Sequence, residues 1–296
     1  TWVGRLSTPG VYNLSNAAVT PEHYVREYHK RVNSLYGQVE LGYNDYAFLT
    51  FTGRNDWSST LPAENNSYFY PSVSGSFVFT DAIPSLRENS FLSYGKLRAS
   101  WAQVGNDTDP YLLRSTYVAD EIWEGSPTFT VPNDLLNANL KPEITESVEF
   151  GVELAMLQDR LGLDVTYYKE ETRDQIFNVN ISATTGYTSR WLNAGTVENK
   201  GWEIMLTGVP VETNSVRWQS TVTWSKNNST VVDLAPGVTG LELSLGDFWG
   251  ASLYARKGEP YGQIVGRAYQ RAPDGRIIVN AEGIPQRTAP PEGIGN

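Results

Sequence analysis

Strand-length stretches of alternating residues recur along this chain, and the connections between them differ sharply in length. Val32–Tyr43 turns at Asn44-Asp45 into residues 46–54, and a long polar segment, 55–71, leads to 72–80. A medium turn (81–93) precedes 94–104, and a long excursion, 105–145, follows it. Residues 146–156 and 161–171 are joined by only Leu157-Gln158-Asp159-Arg160. The stretch 172–195 is long again, and a short Gly-Pro segment then links 196–207 to 216–226. An antiparallel sheet whose two rims carry connections of different length is the pattern of a membrane-spanning β-barrel.

Successive residues of a strand point to opposite faces, so a half-buried strand alternates with period two. Val148, Phe150, Val152, Leu154 and Met156 fall on one face, and Ser147, Glu149, Gly151 and Glu153 on the other. Leu161, Leu163, Val165 and Tyr167 oppose Gly162, Asp164, Thr166 and Tyr168. Val73, Phe77 and Phe79 oppose Ser72, Ser74, Ser76 and Thr80, while Val216, Trp218, Val222 and Trp224 oppose Arg217, Gln219, Thr221, Thr223 and Ser225. A β-sandwich strand shows the same alternation, so length has to decide. Stretches of roughly 9–12 residues exceed the usual sandwich strand of about 5–6 and match a tilted bilayer crossing. Tyr43, Tyr46, Trp101, Tyr167, Tyr168, Trp202 and Trp224 gather near the strand ends, where an aromatic interface belt would lie.

The 296 residues suffice for one large all-β domain or two ordinary ones. Mean hydropathy is −0.37, and no stretch approaches the roughly 18 consecutive apolar residues of a spanning helix. Barrel strands escape that test because only every second residue meets lipid. The 9 Trp, 17 Tyr and 10 Phe suit both the girdles of a barrel and the sugar platforms of a secreted sandwich. A net charge of −10 repels phosphate backbones and argues against nucleic acid as a partner. With no cysteine, disulfides, thiol nucleophiles and thiolate metal sites are excluded.

Specific strings go further. The segment Thr52-Gly53-Arg54-Asn55-Asp56-Trp57-Ser58-Ser59-Thr60-Leu61-Pro62 resembles a motif of the SusC/RagA family, the TonB-linked outer-membrane transporters of Bacteroidetes-type bacteria. The likeness continues through Asn65–Ser74, at Ser93–Thr108, at Leu140-Lys141-Pro142-Glu143, at Asn193-Ala194-Gly195-Thr196-Val197-Glu198-Asn199-Lys200-Gly201-Trp202-Glu203 and at Gly258-Glu259-Pro260-Tyr261-Gly262. These strings cover most of residues 35–285 in order. The resemblance implies part of a 22-stranded barrel that carries an N-terminal plug. It also implies a SusD-like surface lipoprotein as lid, and energy delivered by the TonB complex through the plug. Eight strands in residues 32–226 take roughly 24 residues each, so 22 strands need on the order of 530. The expectation is therefore a single domain, 1–296, that is a partial outer-membrane barrel lacking the plug and the final strands.

Candidate sites are few. Asn106-Asp107-Thr108-Asp109 offers oxygen ligands, but no complete calcium loop accompanies it and a hydrogen-bonded turn fits better. His23 and His29 do not sit at a zinc spacing. Glu170-Glu171 and Asp120-Glu121 are adjacent pairs, which on a strand point to opposite faces and cannot flank one bond. Catalytic, cofactor and metal residues are accordingly expected to be none. Trp57, Trp123, Trp191 and Trp249 lie in or near the long connections, either stacking on substrate or partner or packing the loops together. The reading is nutrient import (oligosaccharide or peptide) across the outer membrane of a Gram-negative cell, without catalysis. The alternative is a secreted β-sandwich adhesin or carbohydrate-binding module.

Overall fold

Period-two alternation buries or exposes a whole face only if consecutive strands keep their register. In the computed structural model, which describes residues 5–18, 27–87, 91–244, 251–288 and 292–293, they do. The strands are β1 (Val32–Tyr43), β2 (Ala47–Ser58), β3 (Ser67–Val78), β4 (Leu92–Asn106), β5 (Val118–Trp123), β6 (Ser126–Thr130), β7 (Asp134–Leu135) and β8 (Glu143–Met156). They continue with β9 (Leu161–Asn180), β10 (Ser189–Glu212), β11 (Arg217–Leu234), β12 (Gly240–Ser244), β13 (Ala251–Arg256), β14 (Gln263–Gly266) and β15 (Glu292–Gly293). The main sheet runs β1-β2-β3-β4-β8-β9-β10-β11, with β7 added in parallel to β10. Every other pairing in it is antiparallel.

Registered partners extend one apolar face from strand to strand. Leu41, Leu49, Gly75, Ala99, Phe150, Tyr167 and Trp202 form one row. One step nearer the short turns, Tyr43, Ala47, Phe77, Leu97, Val152, Val165, Ile204 and Trp224 form the next. Among the described residues no layer covers this face: Phe150 is 56% exposed, Val222 62% and Leu41 55%. A sandwich would bury these side chains under a second sheet, so the secreted-sandwich alternative fails. A bilayer supplies the missing apolar contact. β1 and β11 do not pair with each other, so the sheet is a section of an unclosed barrel wall. In lipid both edges need further strands, because hydrocarbon offers no partner for an unpaired N–H or C=O.

The strands outrun their sequence signal at one end. β2 continues past Arg54 to Ser58, β9 past Glu171 to Asn180, and β11 past Lys226 to Leu234. The expected long connections 55–71 and 172–195 shrink to residues 59–66 and 181–188. Beyond the apolar band the regular alternation gives way to polar stretches interrupted by core residues such as Val179, Ala194, Val231 and Leu234, while the ladder persists. β10, at 24 residues, is roughly 80 Å long, against a hydrocarbon thickness of about 30 Å. It also runs through the expected Gly-Pro link, taking Pro210 at a bulge between Gly208 and Val211, where a missing N–H is tolerated. The buried cores lie at the long-connection end. Val179, Ala194, Val231, Leu234, Leu241 and Ala255 form one, and Leu61, Tyr68 and Leu140 another.

The opposite rim holds the tight turns. Tyr46 N–H donates to Tyr43 O at 3.2 Å around Asn44 and Asp45, both left-handed (φ 48° and 57°), a two-residue turn whose twist suits a hairpin. Leu157, Gln158 and Asp159 are left-handed as well.

The apolar row sets a test. Val152→Arg, at mid-depth on the apolar face, is expected to lower the stability of the full-length protein by about 2–4 kcal/mol. Glu153→Gln, one residue on and facing the other way, is expected to change it little. Denaturant titration of the protein folded into vesicles distinguishes the two.

Candidate functional site in the inner wall and outer rim

Where the apolar band stops, its boundaries are marked by rings. On the long-connection side Trp101 Nε1 donates to Glu146 Oε1 at 3.0 Å, and the Tyr167 and Trp202 rings lie 5.0 Å apart. Beyond them the same face turns ionic: Lys169 and Lys200 meet Glu198, and Arg173 meets Glu146 and Glu171. On the short-turn side Tyr43, Tyr46 and Phe77 pack edge to face with centroids 5.6 and 5.9 Å apart. Two expected belt residues fall elsewhere. Trp224 is registered with Ile204 inside the band, and Tyr168 lies on the polar face, its hydroxyl donating to Asn227 Oδ1. Sequence position near a predicted strand end could not show that the strand continued.

The polar face of the crossing segments is a hydroxyl-rich wall held by ion pairs. The Arg98 guanidinium binds both Asp164 carboxylate oxygens at 2.9 and 2.6 Å and also donates to the Thr166 hydroxyl. To reach β9 it must lie across β8, and Gly151 makes that possible, since a Cβ there would sit 2.3 Å from Arg98 Nε. Lys96 reaches Glu153 at 3.4 Å. These pairs are a quarter to two-fifths exposed, so each contributes on the order of 1 kcal/mol or less. Beside them a hollow of about 300 Å³ is lined by Thr50, Ser74, Ser76, Lys96, Arg98, Ser100 and Glu149. Such a wall offers hydrogen bonds to a polar solute, with the Phe48 ring as an apolar surface beside them.

Above the band, two carboxylates organise the rim. Asp56 accepts from Arg54 Nε and from the Tyr70 hydroxyl, both at 2.8 Å, and Arg54 reaches on to Ser34 Oγ at 3.0 Å. Burial alone would raise the Asp56 carboxyl, but the hydrogen bonds from Arg54 and Tyr70 outweigh it and hold the group below its ordinary value. Burial pushes the neighbouring Tyr68 hydroxyl up to about 12, with the Asp107 and Asp56 charges adding to the shift. Asp107 in turn accepts from Ser58 Oγ at 2.6 Å and pairs with Lys30. Together they tie the lead-in to β1, the end of β2, the start of β3 and the end of β4 into one corner. The Asp107 side chain is thus occupied by a hydroxyl and an ammonium. Among the described residues no group of three or more His, Cys, Asp or Glu stands ready for a metal.

Three of the four tryptophans lie among the described residues, and they are not brought together. Trp57 closes β2 opposite Ser67, Trp191 sits on β10 opposite Asn178, and Trp123 ends β5 on an exposed hairpin, itself 72% exposed. Trp249 lies outside the described residues, as does His23, while His29 is exposed beside Glu27. Sequence reasoning singled out the string around Asp56 but not its chemistry. Arg98 and Asp164, 66 residues apart, gave no signal at all before the register joined them.

Over residues 1–283 the chain matches the family profile described as TonB dependent receptor-like, beta-barrel. It is 31% identical over 249 residues to TonB-dependent receptor P26 of Formosa agariphila, covering 82% of this chain and 25% of that protein. It is 27% identical over 207 residues to TonB-dependent receptor SusC of Bacteroides thetaiotaomicron, covering 67% of this chain and 20% of that one. The chain thus spans a quarter or less of the length of these curated relatives. The solved RagAB peptide transporter superposes with a TM-score of 0.75 at 21% identity, over 95% of this chain and 32% of that one, which establishes a shared fold.

The rim corner predicts a pH dependence. Folding lowers the Asp56 pKa, so its charge stabilises the corner above the unfolded value of about 4 and that contribution drains away as pH falls through the folded value. Amide exchange across residues 54–70 of the full-length protein is expected to accelerate below about pH 4, and in Asp56→Asn to be fast already at neutral pH. An Asp56→Asn profile identical to the parent at both pH values would refute this role.

Proposed function

The chain belongs to the TonB dependent receptor-like β-barrel family, and from that premise we propose that it is one section of the wall of an outer-membrane importer for a bulky polar nutrient, an oligosaccharide or a peptide. The observation that carries the reading is the two-faced sheet. An uncovered apolar row bounded by aromatic rings lies on one side, and an ion-paired, hydroxyl-rich wall on the other. A polar solute too large to cross lipid passes along the second face while the first holds the wall in the membrane. The wall does no chemistry on its cargo. Glu153 and Asp164 are engaged by Lys96 and Arg98 rather than set as an acid and a base across one bond.

Import against a gradient needs energy and capture. The resemblance to TonB-dependent receptor SusC and to the RagAB peptide transporter supports TonB coupling through a plug and capture by a SusD-like lipoprotein over the long-connection rim. That rim carries the exposed hairpin of β5 and β6, and among the described residues Trp123 at its tip is the tryptophan best placed to stack on cargo or lid. Trp57 and Trp191 lie on strands and are less free to adjust.

Two outcomes test this. Uptake of a labelled oligosaccharide or peptide pool by cells carrying the full-length protein is expected to stop when TonB is removed, and equal uptake without TonB would overturn the reading. Trp123→Ala is expected to weaken capture about two- to tenfold, the scale of one aromatic contact, measured by binding of the same pool to the intact outer-membrane complex.

A further inference from the structure

We infer that the lipid-facing side of this wall carries a specific site for one anionic, phosphate-bearing lipid. Its acyl chain would lie in a groove floored by Gly75 and Ala99, and its headgroup on Lys169, Lys200 and Lys226. The inference rests on the outer-membrane reading above, since it needs the apolar face to meet lipid.

The groove follows from the register. In the row Leu49, Gly75, Ala99, Phe150, Tyr167, Trp202 the two central residues are the smallest, so the band is dented between larger neighbours. The result is a trough of about 610 Å³, walled by Phe77, Leu97, Phe150, Val165, Tyr167 and Trp202. Nothing forces Gly75 to be small: a Cβ there would find only ordinary contacts at 3.9 Å. The dent is therefore open space on the lipid face, not a packing necessity.

The headgroup end is where charge enters. Lys169 follows Tyr167 two residues along the same face of β9, Lys200 precedes Trp202 on β10, and Lys226 is registered directly against Trp202. The carboxylates of that face, Glu146, Glu171 and Glu198, share a row one register step farther from the band. At the Tyr167 and Trp202 end of the trough the first polar side chains are thus cationic, while over Gly75 and Ala99 the next row is Val73 and Trp101. Lys169 and Lys200 also stand directly opposite each other, a placement that repels. Glu198 answers both ammonium groups at 2.9 Å each, leaving one positive charge in excess, and among the described residues Lys226 makes no ion pair. A phosphate beside these lysines is met by the excess charge, while the chain below it drops into the trough.

The test uses the full-length protein in detergent, titrated with dioleoyl phosphatidylglycerol or dioleoyl phosphatidylcholine and followed by native mass spectrometry. The same chains with an anionic headgroup are expected to bind at least fivefold more tightly than with the zwitterionic one. The combined variant Lys169→Gln, Lys200→Gln, Lys226→Gln is expected to abolish that preference, and Ala99→Leu, which fills the trough, to weaken both lipids. Equal affinities in the parent, or a preference that survives the triple variant, would overturn the site. A protein that inserts into vesicles yet shows no preference loses this inference and keeps the transport reading. A protein that does not insert at all loses both.

Discussion

The interstrand hydrogen-bond ladder is the constraint from which the rest of this structure hangs. In hydrocarbon a backbone N–H or C=O has no water to turn to, so a spanning strand must find partners on both sides. Once the ladder is made, register is no longer free. A slip of one residue would carry Phe150, Val152 and Leu154 to the polar side and bring Glu149 and Glu153 into lipid. Each strand therefore inherits its register from its neighbour, and the tight turns at Asn44-Asp45 and Leu157–Asp159 set the starting point. Stability in this wall comes from that shared constraint more than from a buried interior. The two small cores sit at the rim, away from the crossing segments.

Small residues then shape what the ladder presents. Gly151 on the polar face and Gly75 with Ala99 on the apolar face work by opposite means. At Gly151 a side chain is forbidden because Arg98 already occupies the space, so absence of a Cβ creates an ion pair between β4 and β9. At Gly75 a side chain would fit and is simply not there, so the absence creates a recess. Gly105 behaves like Gly151, with the Tyr68 ring lying 2.4 Å from where its Cβ would be, and this holds the rim corner closed above the point where β3 and β4 stop pairing. A glycine in a strand usually weakens it. At Gly151 and Gly105 the loss is offset by a contact that only the missing side chain permits.

How much of this was legible in the sequence depends on which interaction a feature rests on. Alternation within the band was readable, because lipid and lumen impose it residue by residue, and β1 was placed at Val32–Tyr43 without error. The extensions of β2, β9, β10 and β11 were not, because above the band lipid no longer imposes the alternation, and a paired strand with mixed polar and apolar residues looks like a loop. The string around Asp56 stood out by resemblance, yet its partnership with Tyr70 and Arg54 required the β2–β3 register. Pairs such as Arg98 with Asp164 depend on three strands at once, and no local pattern encodes them.

The division of labour along each strand follows from the same geometry. Within the band the side chains answer to lipid on one face and to the lumen on the other, and the ladder fixes both. Above it the chain is free of lipid, strands lengthen, and polar networks such as Asp56 with Tyr70 or Asp107 with Ser58 join two small apolar cores as the source of order. These networks sit where the longest connection, residues 107–142, returns to the sheet, with Asn65 donating to Leu140 O and Lys141 exchanging hydrogen bonds with Asn193. A connection pinned at its base by such bonds can accept change at its exposed tip, the β5–β6 hairpin, without disturbing the wall. A substitution at that exposed tip therefore leaves the membrane-crossing register below it as it is.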